Sequence, residues 1–207
     1  MPRQAGSRNK DFEEKRQELV RALTEHALTD DIRRPSLREF AHSCGVTEPT
    51  LRHYFVDRQG TVLAILDEMA RRGKVIWDLV ATPSENEAEA LNSYFTISKI
   101  GIQDGGFIRA HAFGIIEGLA DPDIGKAYLE KMLEPSLKSV MTKIKLSTKQ
   151  NISDTELRSM SLVAFSPLLL ASLHQDLLGG RETSEINADA LTGLLESSLV
   201  NYLTGTT

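Results

Sequence analysis

The chain has 207 residues, 41% of them apolar and 26% charged, the make-up of an ordinary globular protein forming one domain or a small domain joined to a larger one. Its single cysteine, Cys44, excludes an internal disulfide and fits a reducing cytoplasm. A formal charge of −5 argues against a nucleic-acid partner unless the charge is unevenly spread.

It is unevenly spread. Residues 1–60 hold 11 Lys+Arg against 10 Asp+Glu, while the remainder holds 13 against 19. Arg3, Arg8 and Lys10 precede any acid, as suits an arm near phosphates. This basic start has no apolar stretch behind it, so no signal peptide is expected. Lys10 to Thr29 then reads as a helix, with Phe12, Leu19, Leu23 and Ala27 spaced as one stripe and His26 on its surface.

Ser36 to Arg58 carries the densest local signals. Ser36 and Glu39 make an S-x-x-E capping box ahead of a helix whose apolar side is Leu37, Phe40 and Ala41. Gly45 stands where a chain leaving a helix needs positive φ. Thr47 is placed to cap a second helix, and Pro49 is tolerable in its first turn. Leu51 and Phe55, four apart, point inward while Arg52 and His53 point elsewhere. Two short helices about a glycine turn make a helix-turn-helix, whose second helix is the usual major-groove reader. Cys44 is expected as a small buried hydrophobe in this motif.

Asp57 is placed to cap a helix from Arg58 to about Ala81, with Val62, Leu63, Ile65, Leu66, Met69, Val75, Ile76 and Leu79 as its apolar side and a bend expected at Gly73. Thr82-Pro83-Ser84 is a break. Further helices follow over Glu85 to Gln103, Phe107 to Leu119, and Pro122 to Lys145 with a kink or break at Pro135. Lys143 to Gln150 reads as a polar loop. Asp154 to Leu178 is an apolar helix kinked at Pro167, and Ser184 to about Leu203 is the last, striped by Ile186, Leu191, Leu194, Leu195, Leu199 and Tyr202. No strand-like alternation appears, so the expected class is all-α. The longest apolar run, Leu162 to Leu173, is interrupted by Ser166-Pro167 and is expected to be too short for a bilayer.

The motif resembles the DNA-binding segment of the tetracycline-repressor (TetR) family of bacterial regulators. Ser36, Phe40, Ala41, Gly45-Val46-Thr47, Thr50-Leu51 and Tyr54-Phe55 fall on that family's pattern. Arg52 replaces a common Tyr, Arg58 a common Lys, and Asp30 to Pro35 a Gly-aromatic turn. The likeness covers about the first sixty residues; beyond them it rests on length and helical pattern. It implies a three-helix DNA-binding bundle over 1–58 and a larger helical regulatory, ligand-binding and dimerisation domain over 59–207. It also implies base contacts from Arg38, Glu48, Pro49 and Arg52, and phosphate contacts from Thr50, Tyr54 and Arg58. Thr47 and His53 complete the candidate double-stranded-DNA interface. The side-chain chemistry agrees: Arg can bond guanine bidentately, Glu can accept from cytosine, and Pro can touch a thymine methyl.

From the same resemblance the chain is expected to be a homodimer through its last two helices, Leu162 to Leu178 and Leu191 to Tyr202. It would act as a repressor released from a palindromic operator by a small-molecule effector, without cofactor or membrane. Candidate effector-binding residues are Trp77, Tyr94, Phe95, Phe107, His111, Phe113, Tyr128, Met132 and Phe165, though aromatics at helical spacing are more often plain core. Two rivals remain. A carboxylate-bridged iron enzyme needs two Glu-x-x-His helices, and only Glu39–His42 fits; no G-x-S-x-G, P-loop or H-E-x-x-H occurs. A helical adaptor that keeps the scaffold without specific DNA binding is favoured by the charge balance of only +1 over residues 1–60.

Overall fold

The structure, a computed structural model, describes residues 5–29 and 33–205, without the side chains of residues 5–9, 103 and 104. Arg3 and Asp30-Asp31-Ile32 lie outside the described residues, as does the side chain of Arg8. Among the described residues every regular element is helical. The elements are α1 (Ala5–Ala27), α2 (Leu37–Ser43), α3 (Glu48–Phe55), α4 (Arg58–Val80), α5 (Glu87–Asp104), α6 (Gly106–Ala120), α7 (Pro122–Tyr128), α8 (Glu134–Ser147), α9 (Asp154–Ser172), α10 (Gly180–Thr183) and α11 (Ala188–Thr204). The all-α expectation holds.

The chain packs as two compact units. One joins the residues up to Arg72 with Arg109–Met132; the other joins Gly73–Ile108 with Leu133–Thr207. The first contains α1 to α3, the first two-thirds of α4, most of α6, and α7. Leu19, Leu23, Phe40, Leu51, Val62, Ile65 and Leu66 are all buried there. Arg72 of α4 ties back to α1 through Glu25 at 2.6 Å. Within this unit α6 and α7 approach closely: a Cβ on Gly118 would lie 2.8 Å from the Cα of Gly125, so neither position has room for a side chain.

In the second unit α5, α8, α9 and α11 pack around Leu91, Tyr94, Phe95, Val140, Ile144, Leu157, Ala164, Leu199 and Leu203. Caps start three of these helices: Asn86 accepts from the Glu89 amide at 3.0 Å, Asn187 from the Ala190 amide at 2.9 Å, and Ser153 with Glu156 forms a second capping box. No break occurs at Pro135: the helical backbone runs on from α7 into α8, with Leu133 itself in helical conformation. Leu129–Leu133 instead winds as a π-turn immediately before Pro135, a local widening of the kind found where proline has no amide to give the preceding turn.

Several expectations are corrected. Val75, Ile76 and Leu79 are exposed, because α4 carries apolar residues around most of its girth and only part of it faces a core. Gly73 does not interrupt α4; its bare face lies against the Trp77 ring, where a Cβ would come within 3.1 Å. Lys143 to Ser147 is helix rather than loop, and Lys143 is buried with Nζ donating to the Thr82 carbonyl at 2.9 Å. The helical stretch Asp154–Leu177 runs through Pro167 for 24 residues and is long and apolar enough by composition to cross a bilayer. The bare apolar run understates it because the helix continues on both sides. Leu157, Met160, Ala164, Phe165 and Leu168 of this stretch are nevertheless buried inside the protein.

Candidate nucleic-acid interface

The start of α2 is fixed reciprocally. The Glu39 amide donates to Ser36 Oγ at 3.2 Å, and the Ser36 amide donates to Glu39 Oε2 at 2.7 Å. That second bond, then the Ser36 hydroxyl, holds the Glu39 carboxyl below the usual carboxylate range. Leu37, Phe40 and Ala41 are buried as the pattern requires. The chain then turns at Gly45 with φ of 65°, and the Val46 amide closes back on the Ala41 carbonyl at 2.9 Å. Cys44 is half-buried, and desolvation pushes its thiol up.

Thr47 holds the N-cap position of α3 in extended conformation, but its side chain makes no cap bond. Its hydroxyl instead meets the Thr50 hydroxyl at 2.9 Å, and Pro49 removes one of the amides a cap would serve. Leu51 and Phe55 are buried, whereas Pro49, Arg52 and His53 are exposed. Glu48 and Arg52 lie one turn apart with 3.9 Å between Oε2 and Nη2, an exposed pair of a few tenths of a kcal/mol, roughly, that a stronger partner can displace. Arg38 and His42 of α2, Val46 and Thr47 of the turn, and Glu48, Pro49 and Arg52 of α3 line one shallow concavity of about 490 Å³. The candidate base-facing residues Arg38, Glu48, Pro49 and Arg52 are therefore together on one surface.

Aromatic packing ties the other edge of α3 to α1. Tyr54 stacks on Phe12, His53 meets Phe12 edge-on, and Arg16 lies over the Phe55 ring at 5.5 Å. Beyond Phe55 the chain makes a γ-turn of the rarer kind, with Val56 at φ 71°, ψ −56° and the Asp57 amide donating to the Phe55 carbonyl at 2.8 Å. Asp57 then caps α4 through the Gly60 amide at 2.8 Å. A Cβ on Gly60 would sit 2.0 Å from the Phe55 carbonyl oxygen, so this elbow requires glycine there.

Arg58 is turned into the protein. Its Nη1 and Nη2 donate to Glu117 at 2.9 and 2.5 Å, and its Nε donates to the Pro35 carbonyl at 2.8 Å. Glu117 is fully buried and also accepts from Arg34 Nε at 3.3 Å. Sequence reasoning does not reach Glu117, because it is 59 residues from Arg58 and no local spacing marks it.

The candidate effector residues divide between the units. In the first, His111 and Phe113 are buried, and His111 Nδ1 lies 2.8 Å from the Tyr128 hydroxyl; burial lowers the His111 pKa to about 4. Met132 is buried in the same unit. In the second, Tyr94 and Phe95 are core, Phe107 meets Phe165 edge-on at 5.9 Å, and Trp77 Nε1 donates to Ser136 Oγ at 2.9 Å.

The fold has a counterpart among solved structures. A crystal structure from Mesorhizobium loti, named as a candidate TetR-family transcriptional regulator, matches with a TM-score of 0.55 over 94% of this chain and 97% of its own, at 16% sequence identity. The likeness shows an all-α, TetR-like fold. No protein-family model matches the chain, and no curated protein matches it in sequence.

Proposed function

We propose that this chain is a DNA-binding transcriptional regulator that reads an operator through α3. The observation that carries the reading is the capped helix-turn-helix whose exposed face gathers Arg38, Glu48, Pro49 and Arg52 while Leu51 and Phe55 anchor it from behind. Arg52 is assigned a guanine contact and Glu48 a cytosine contact; Thr47, Thr50, His53 and Tyr54 flank them toward the backbone. Arg58 is left out of this set, since Glu117 and the Pro35 carbonyl already hold its guanidinium. The functional division is placed at residue 58, with 59–207 carrying dimerisation and regulation. The TetR-family name of the M. loti protein supports the same reading.

A homodimer on a palindromic operator is the proposed assembly, because one reading helix spans only a few base pairs and paired heads double the readout. Leu162, Val163 and Leu170 of α9 and Leu194 and Tyr202 of α11 support it, being large apolar side chains left exposed on the last two long helices. Repression relieved by a small-molecule effector, in the cytoplasm, completes the proposal; this part rests on the resemblance of the motif to its family. The effector would act by favouring one arrangement of the two heads.

Selection of random duplex DNA by the purified protein at physiological salt, followed by sequencing, tests it. Recovery of an inverted repeat is the expected result. Recovery of no motif would transfer the scaffold to the adaptor reading, which the weak positive balance of residues 1–60 favours.

A further inference from the structure

Arg34 and Arg58 stand at either side of the helix-turn-helix. Arg34 lies two residues ahead of the Ser36 cap, and Arg58 opens α4 just past the γ-turn that ends α3. Cations flanking a reading helix are the groups that most readily reach the phosphates of a duplex. Both are instead directed at one carboxylate. Glu117 takes Arg58 with both oxygens and Arg34 with one, and Arg58 gives its remaining Nε proton to Pro35. The two-pronged grip of a carboxylate on a guanidinium has the geometry with which a phosphate would hold it. Glu117 has no exposure to solvent, and a buried carboxylate left without partners is expensive, so the grip is a firm one.

We propose that Glu117 withholds Arg34 and Arg58 from the DNA backbone, keeping sequence-independent attraction to any duplex low so that discrimination rests on the base-facing side chains of α3. The inference builds on the DNA-binding reading above. Backbone contacts raise affinity for every sequence alike, whereas base contacts separate one sequence from another. Sequestering two cations therefore widens the ratio of specific to non-specific binding without altering a base contact. The charge balance of residues 1–60 is already only +1, and the two arginines are among the 11 cations it counts. With them withheld, the free cations left to this segment are fewer still.

The test is the salt dependence of binding to a random-sequence duplex by the full-length wild-type protein and by E117Q. Glutamine keeps the shape of the side chain but not the charge that holds the arginines. Release of both steepens the slope of log affinity against log salt by up to about 1.8, from about 0.9 per phosphate contact. Between about 50 and 200 mM salt the variant then loses about twelvefold more affinity than the wild type. An unchanged or shallower slope in folded E117Q overturns the inference. If circular dichroism shows that E117Q does not fold, the triple variant E117Q/R34Q/R58Q replaces it, since the whole cluster is then neutral and no buried charge is left unpaired. The triple variant is expected to keep the wild-type slope; a slope shallower by about 1.8 would mean the arginines already sit on phosphates, and the inference fails. Absence of wild-type binding to any duplex defeats the DNA-binding reading itself, an outcome separate from wild-type binding with an unaltered slope in E117Q.

Discussion

The ring of Tyr54 lies on that of Phe12, with centroids 4.7 Å apart and planes 29° from parallel, and this stack joins the last turn of the reading helix to α1. His53 adds an edge-on contact to the same Phe12 ring at 5.4 Å. Offset aromatic pairs contribute roughly 0.5–1.5 kcal/mol beyond their buried area. Phe12→Ala should therefore lower unfolding stability by about 1–2 kcal/mol, read from the denaturant midpoint. It should also raise hydrogen exchange in α3, and an unaltered exchange pattern there would show that α1 does not brace the reading helix.

Val56 is a β-branched residue held at φ 71°, a conformation that costs it roughly 1–3 kcal/mol. Its side chain is 78% exposed, so little packing is lost on removing it. Val56→Gly should raise stability by about 1 kcal/mol net of the entropy glycine adds to the unfolded chain, seen as a higher Tm. A lower Tm would mean the turn carries no such strain.

Arg52 is the exposed cation of α3 in the concavity that also holds Arg38 and Glu48. Arg52→Ala should cost about 1–3 kcal/mol of specific operator binding and relax preference at a single base position. Affinities measured across single-base operator variants check this; an unaltered preference profile removes Arg52 from the reading set.

His111 gives the first unit a built-in acid sensitivity. Burial lowers its pKa from 6.5 to about 4, so between those values the unfolded chain takes up a proton that the folded chain refuses. Folding stability contributed by neutral His111 is fully present above pH 6.5 and is lost as pH falls toward 4. Denaturation midpoints for wild type and His111→Gln should diverge most near neutral pH and converge toward pH 4. Parallel pH profiles would exclude His111 as the source.

The legible parts of this molecule are those in which cause and effect lie within a turn of one another. The Ser36–Glu39 box, the positive φ of Gly45 and the inward Leu51–Phe55 pair all follow from neighbours three or four residues apart. The grip of Glu117 on Arg58 follows from nothing local, and so an arginine that reads as a phosphate contact by position is found turned inward. The outward Val75, Ile76 and Leu79 were equally hidden, since apolar periodicity on a helix with apolar residues all round does not say which side meets a neighbour. Pro135 signals an interruption, but the sequence does not say that a π-turn precedes it.

The hydrogen bond from Trp77 to Ser136 has a spectroscopic consequence. Trp77 is the chain's only tryptophan, so its fluorescence comes from one known place, a half-buried indole resting against Gly73 and donating to the hydroxyl of a residue on α8. The emission of the unlabelled protein is thus a native optical gauge of the pairing of α4 with α8. Excited selectively, it will redden when that pairing opens and stay silent to events confined to the reading helix.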